Sequence, residues 1–324
     1  MVAFGFNQVC GIILLLNALP GLLINMYVFY KLVTRTGQWN SFLKLCVTKT
    51  VPNMIVCSIF LFWAVPVCIY NPKYKNINRY VNATLGQLAA FFAYTLSPLT
   101  QICMSFNRFY ALYFPMQSMK QHRVPFTNIA IVVISLMASS WTIYALPGMP
   151  WLPGKCGYVF DPAIVSWRPE TDDCAYAIAD NMIFLIFCFS VTSNCFNFVT
   201  FVKLLMNQVV GMSSEENSRR RRKRTIMYVQ SVLQDTIHVI DSLNATYVWT
   251  WRDELWYQFI FLSISFVFIY ALDGFIMFAF NSEMHPAWLK NRQGKTIFVF
   301  ARSNASNRSQ TSVVVNSNIA RVGN

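Results

Sequence analysis

Leu99-Thr100-Gln101-Ile102-Cys103-Met104-Ser105-Phe106-Asn107-Arg108-Phe109-Tyr110-Ala111-Leu112-Tyr113 is the stretch whose reading decides the fold. An apolar run that begins near Ala83 ends here on an arginine, with an asparagine before it and an aromatic ring after it. A hydrocarbon core needs about 20 mostly apolar residues per helical span. Working outward, six further runs meet that length: Val9–Tyr30, Val51–Tyr70, Val124–Pro147, Ala175–Met206, Thr225–Thr250 and Leu255–Phe280. Hydrophobic residues make up 55% of the chain and charged residues 12%, about half the charge of a typical water-soluble domain. The expected fold class is all-α and integral to the membrane, a bundle of seven transmembrane helices.

Lysine and arginine orient such a bundle. The loops after spans one, three and five, together with the tail, carry eighteen of them, including the Arg219–Arg224 run; the other three loops carry six. This bias predicts an N-terminus outside and a C-terminus in the cytoplasm. It also places the net charge of +13 beside the anionic inner leaflet, so membrane lipids, and no nucleic acid, are the partner expected for that charge. The Arg219–Arg224 run reads as a topological and lipid-binding segment or as a contact for an intracellular partner, and the two roles are compatible. Some eight residues precede the first span, too few for a cleavable leader, so a ligand outside is expected to meet the bundle and its loops directly.

No polar linker divides the spans, which predicts one domain over residues 1–300 and a disordered cytoplasmic tail over residues 301–324, rich in Ser, Asn and Arg. Between them, Trp288 and Leu289 among Lys290, Arg292 and Lys295 predict a short amphipathic helix in the headgroup layer. Prolines inside spans, Pro20, Pro52, Pro66 and Pro98, are expected to kink their helices. The nine cysteines show no C-x-x-C spacing and the three histidines (His122, His238, His285) are scattered, so neither a metal nor another cofactor is expected. Cys156 and Cys174 lie in or beside the long outer loop after span four, where the compartment is oxidising, and are expected to form a disulfide, with Cys68 as the rival partner. The glycosylation sequons at Asn82 and Asn244 lie too close to a span, and those at Asn304 and Asn307 lie in the tail.

Ionisable groups within a span are costly and usually face the bundle interior. Asp235, His238 and Asp241 recur every three residues and share one broad face of span six. They read as ligand contacts or as an internal hydrogen-bond network. Gln87, Tyr94 and Thr95, in the outer half of span three, carry the same two readings. Lys44 and Lys49, near the inner end of span two, are expected to snorkel to the headgroups. Arg108 reads either as an interfacial arginine or as part of a switch with Asn107 and Phe109.

Seven spans with the N-terminus outside, Asn107-Arg108-Phe109, and then Pro115 resemble a G-protein-coupled receptor, in which an acidic-Arg-aromatic triplet ends the third helix. Here asparagine replaces the acid. The wording Asn107-Arg108-Phe109-Tyr110-Ala111-Leu112-Tyr113-Phe114-Pro115 resembles the nematode serpentine chemoreceptors, class X or a close relative, as does Phe280-Asn281-Ser282-Glu283-Met284 after span seven. Asn25-x-x-Val28 is similar to the asparagine motif of rhodopsin-like receptors. By the same register Asn53 stands where those receptors place a buried aspartate, and Asp273-Gly274 where they place Asn-Pro, so Asn25, Asn53 and Asp273 are expected to share an inner polar pocket. Departures include the missing Cys-Trp-x-Pro of span six, the missing proline of span five and the missing cysteine at the outer end of span three.

The resemblance implies a receptor in the plasma membrane of a chemosensory neuron. It binds a small extracellular ligand in the bundle and activates a heterotrimeric G protein, with Arg108 at the switch. A membrane transporter of a small molecule is the alternative, although the inverted repeats and paired broken helices of many transporters are absent from the sequence. An enzyme is not expected, because neither an activated nucleophile nor a metal-bound water can be assembled from these residues.

Overall fold

The structure is a computed structural model that describes residues 5–35, 41–70, 76–114, 126–144, 157–169, 173–209, 215–281 and 284–286. Among the described residues the chain forms seven long helices, a short 3-10 turn (Val248–Trp251) and one small hairpin. The long helices and the hairpin strands are α1 (Phe6–Val33), α2 (Ser41–Tyr70), α3 (Arg79–Tyr113), α4 (Phe126–Tyr144), β1 (Tyr158–Asp161), β2 (Ser166–Pro169), α5 (Asp173–Val209), α6 (Glu215–Thr246) and α7 (Leu255–Phe280). All lie in one compact unit, Met1–Phe280. The juxtamembrane helix expected near Trp288 and the tail from residue 301 lie outside the described residues.

Six of the seven helices are apolar and long enough to cross a membrane; α6 is the further one. Its sequence is less apolar because it carries its polar groups inward. Gln230, Ser231, Gln234, Asp235, His238, Asp241 and Ser242 are all buried and recur at the three-to-four-residue spacing of one helical face. The bundle as a whole has this inverted arrangement. Leu16 is 67% and Phe184 69% exposed on the outside, while Asn25, Asn53, Gln101 and Asp273 are buried. In water such an exterior would be an aggregation hazard; in hydrocarbon it is the solvated surface, and the interior is where polar groups must find partners.

Two helices begin ten residues before the sequence expectation. Helix α2 begins at Ser41, ten residues before the expected Val51, because Lys44 and Lys49 do not end it. Lys44 is half-buried and donates to Asn128 Oδ1 of α4 at 2.8 Å, whereas Lys49 is fully buried. The expectation that Lys49 reaches the headgroups is therefore corrected: its ammonium has partners inside the bundle. Helix α6 begins at Glu215, so the Arg219–Arg224 run extends the helix itself and does not lie in a loop.

Close approach of α1 and α7 depends on small residues. A Cβ on Gly21 would lie 2.6 Å from that of Ala271, and one on Gly274 would lie 2.5 Å from Asn25 Oδ1. Three helices also loosen into π-helical turns at the hairpin end, over Phe60–Ala64 in α2, Gln87–Ala93 in α3 and Phe259–Ile264 in α7. Such bulges re-aim side chains and recur at functional sites.

The hairpin was not expected from the sequence, and it enters the bundle. Phe160 and Val165 are fully buried, and Trp167 packs edge-on against Phe60 at 6.3 Å and Phe160 at 5.3 Å. Asn82 of α3 holds β1 as another strand would, donating to the Phe160 carbonyl at 2.9 Å and accepting from its amide at 3.0 Å. Asn7 of α1 donates to Pro162 O, and Ser263 of α7 donates to Val165 O. Asp161 turns the chain by accepting from Ala163 N at 2.8 Å and pairs with Arg168 at 2.6 Å. The seat is tight at Gly86, where a Cβ would lie 1.9 Å from Tyr158 O. Gly86→Ala is therefore expected to unseat β1 and cost about 1–3 kcal/mol, the range for overpacking. A lower melting temperature and lower surface yield would be measured; unchanged melting would mean that β1 does not rest on Gly86.

Candidate functional site

Helix α6 organises the interior in three layers, one for each of its ionisable residues. At mid-depth, His238 meets Lys49 of α2, Ser97 of α3 and Asp273 of α7. An ammonium offers three donors: Lys49 Nζ lies within hydrogen-bond distance of Ser97 Oγ at 2.6 Å and His238 Nε2 at 3.0 Å, and it forms an ion pair with Asp273 Oδ2 at 3.2 Å. Pro52, one turn along α2 from Lys49, and Pro98, next to Ser97, leave backbone carbonyls without their helical amide partner. Lys49 also lies 3.3 Å from the Ser97 carbonyl. A buried ion pair of this kind offsets its desolvation only with such additional hydrogen bonds.

Asn25, Asn53 and Asp273 were expected to share a pocket in which the amides satisfy the acid. The structure gives the amides and the acid different polar partners. Asn53 donates to Asn25 Oδ1 at 3.0 Å, and Asn25 donates to the Gly21 and Tyr270 carbonyls at 2.8 and 3.0 Å. That amide ladder joins α1, α2 and α7 beside Gly274. Asp273 is held by Lys49, with His238 Nε2 3.7 Å from the same carboxylate oxygen. The amides brace the backbone of the helix that carries the acid, and the acid itself pairs with a cation.

Nearer the Arg108 end, Asp235 accepts from Ser193 at 2.8 Å and from Asn197, both on α5. Ser193 also meets Ser105 of α3 at 2.8 Å, and Gln101 donates to Ser231 Oγ at 3.1 Å, so α3, α5 and α6 share one polar seam. Beyond it, the Arg108 guanidinium is shielded from solvent, makes no hydrogen bond among the described residues and lies 5.0 Å from the Phe42 ring. Phe109 stacks on Tyr113 at 4.6 Å and meets Phe196 of α5, while Asn107 lines a small cleft with Tyr110 and Phe126.

At the hairpin end the third acid, Asp241, borders a cavity of about 90 Å³. Its walls are Phe91 and Tyr94 of α3, Tyr158 and Trp167 of the hairpin, Leu262 and Phe266 of α7, and Ala90, Ala245 and Ser166. Asp241 accepts from Tyr94 Oη at 3.1 Å and from Ser265 Oγ at 2.8 Å. Ala90 and Phe91 belong to the π turn of α3, and Leu262 to that of α7.

Of the six residues expected at a ligand site, Tyr94 and Asp241 border this cavity. Gln87 and Thr95 are buried on α3 away from its lining, and His238 and Asp235 belong to the two deeper layers. The expected Cys156–Cys174 bridge lies outside the described residues; Cys68, the rival partner, is a buried free thiol packed against Gly11. Sequence reasoning missed Lys49, Ser97, Phe91, Tyr158 and Trp167. Lys49 carried a readable signal: Asp273 is the one acid in the last span, and a buried acid calls for a cation on another helix. The hairpin residues carried only the Asp161-Pro162 turn signal, which says nothing of where a loop docks.

Breaking the central pair is expected to be costlier than replacing it. Asp273→Asn and Lys49→Met should each cost about 3–5 kcal/mol by stranding the partner's charge, while Lys49→Met with Asp273→Leu should recover most of the loss. Thermal unfolding of the purified chain and its variants measures this. Losses that simply add would mean that the two charges do not depend on each other.

The family model of the serpentine-type seven-transmembrane G-protein-coupled chemoreceptors, class Srx, matches residues 15–281. A similar protein, serpentine receptor class X 45 of Caenorhabditis elegans, is 21% identical over 304 residues, which cover 86% of this chain and 80% of that relative. The matched residues include all the helices that build the three layers except the first turns of α1, and on this match the chain belongs to the Srx family of serpentine seven-transmembrane chemoreceptors.

Proposed function

We propose that this chain is a G-protein-coupled chemosensory receptor with seven spans and its N-terminus outside, working in the plasma membrane of a chemosensory neuron. It binds a small extracellular ligand at the hairpin end and activates a heterotrimeric G protein at the Arg108 end. The observation that carries this reading is the cavity bordered by Tyr94 and Asp241 under the hairpin, in a chain of the Srx family. The eighteen-to-six bias of basic residues supports the orientation, since it puts the hairpin outside and Arg108 inside.

The two ends are separated by much of the bilayer. Tyr94 and Arg108 are 14 positions apart on α3, about 21 Å at the helical rise. Helix α6 links them: Asp241 borders the cavity, His238 touches the Lys49–Asp273 pair, and Asp235 holds α5. A ligand that prefers one placement of α6 favours the matching arrangement of the lower layers. A G protein that prefers the same arrangement at the inner face is coupled to the ligand by linkage. Arg108, buried without a hydrogen-bond partner among the described residues, is the group such a rearrangement would free for a partner.

A ligand screen on cells carrying several G-protein reporters tests the reading directly, and a ligand-dependent flux through proteoliposomes without any G-protein response would return the transporter alternative. Two further outcomes are expected. A tag before Val9 should be reached by antibody on intact cells, and one after Asn324 only after permeabilisation; the reverse pattern would defeat the orientation. Arg108→Ala should abolish or unbalance G-protein signalling with ligand binding and surface level largely kept, as read by reporter assay and surface labelling. Normal signalling by that variant would reduce Arg108 to an interfacial charge.

A further inference from the structure

The cavity under the hairpin has an uneven chemistry. One formal charge borders it, the Asp241 carboxylate, which is 2% exposed and receives hydrogen bonds from two hydroxyls. Among the described residues no cation pairs with it. The buried lysine and the hairpin's arginine are committed elsewhere: Lys49 pairs with Asp273, and Arg168 pairs with Asp161. A carboxylate shut away from water without a counter-ion is expensive. The remaining wall is dominated by aromatic rings, those of Phe91, Tyr94, Tyr158, Trp167 and Phe266. Ring faces are electron-rich and attract a cation, most strongly where water is excluded.

These rings are held in place from several elements. Tyr94 meets Phe266 edge-on at 5.4 Å, Phe91 meets Tyr158 at 5.5 Å, and Trp167 is wedged between Phe60 and Phe160. The rings therefore do not depend on a ligand to assume their positions, which lowers the ordering cost of binding. Size narrows the class further. An apolar cavity of about 150 Å³ accommodates benzene, so 90 Å³ suits a compact head of about four or five heavy atoms.

Resting on the reading that this cavity is the ligand site, we propose that it recognises the ammonium head of a small organic cation. The Asp241 carboxylate supplies the counter-charge, and the rings of Tyr94, Tyr158 and Trp167 supply the walls. The cation completes a charge pair that the described residues leave open, and the same head links α6, through Asp241, to the hairpin.

The test compares three molecules that share a tert-butyl group and differ in charge: tert-butylammonium, tert-butanol and pivalate. Each is titrated into the purified full chain in lipid nanodiscs, with heat release and melting temperature as readouts. Tert-butylammonium is expected to bind saturably and raise the melting temperature, with no saturable response to the other two. Asp241→Asn is expected to weaken that binding by at least about thirtyfold, the loss for removing one partner of a buried charge pair. Tyr158→Leu, which removes a ring and leaves the charges alone, is expected to weaken it several-fold. Should Asp241→Asn fail to fold, the wild-type ranking of the three probes and the Tyr158→Leu loss carry the decision. Equal binding of the amine and the alcohol, preference for pivalate, absence of amine binding, or amine binding untouched by Asp241→Asn would each overturn the proposal. The receptor reading fails separately. A G-protein response to a neutral or anionic compound that is lost in Trp167→Ala would preserve the cavity as the ligand site and remove only the cationic class.

Discussion

Lys49 and Asp273 form an ion pair with both side chains fully buried, and the rest of the interior is arranged around its requirements. Two charges taken out of water cost several kcal/mol each unless their remaining hydrogen-bonding capacity is met. Ser97 and His238 meet it for the ammonium, which brings α3 and α6 to the same point as α2 and α7. Four helices thus converge on one cation. Hydrophobic matching is weak as a guide inside a bilayer, because lipid tails are as apolar as leucine. A fixed set of donors and acceptors is what selects one packing of the bundle over others.

The helices near this pair follow from the same constraint. Asn25 braces the Gly21 and Tyr270 carbonyls and takes the Asn53 amide, which fixes α1 against α2 and α7 where glycines permit contact. On the other side Ser193 and Asn197 donate to Asp235, and Ser105 meets Ser193. Each polar layer spans several helices, and α6 contributes to all of them. A shift of α6 therefore cannot be confined to one depth. Breaking a buried contact leaves a stranded polar group, so rearrangement should proceed between discrete arrangements and not by gradual slippage.

The hairpin end is built differently. Its stability comes from aromatic packing and from backbone groups captured by side chains of α1, α3 and α7. Asn82 shows the logic: fully buried, it replaces a missing strand neighbour for Phe160 and accepts from Trp63 as well. The three π turns widen α2, α3 and α7 at this depth, which makes room for rings from the loop. This end has walls fixed by aromatic packing and one acid, Asp241, without a cation among the described residues, while the deeper layers supply connectivity.

Much of the architecture was already present in the chain's own pattern. Apolar runs of about 20 residues can do little else than span a bilayer as helices, so the third run ended at Tyr113 and the seventh covered Leu255–Phe280 as read. Asp235, His238 and Asp241 were legible as an inward face because ionisable groups have nowhere else to go. Lys49 was misread because a lone lysine in a hydropathy profile looks like a boundary, and its partners lie 48 to 224 positions away. The hairpin was invisible for a related reason: its seat is made by Asn82, Asn7 and Ser263 from three separate helices. Periodicity and charge along the chain determine which segments cross and which faces turn inward, since both are local properties. Which buried donor meets which acceptor, and which acid borders a cavity, is decided only when distant segments are brought within about 3 Å of each other.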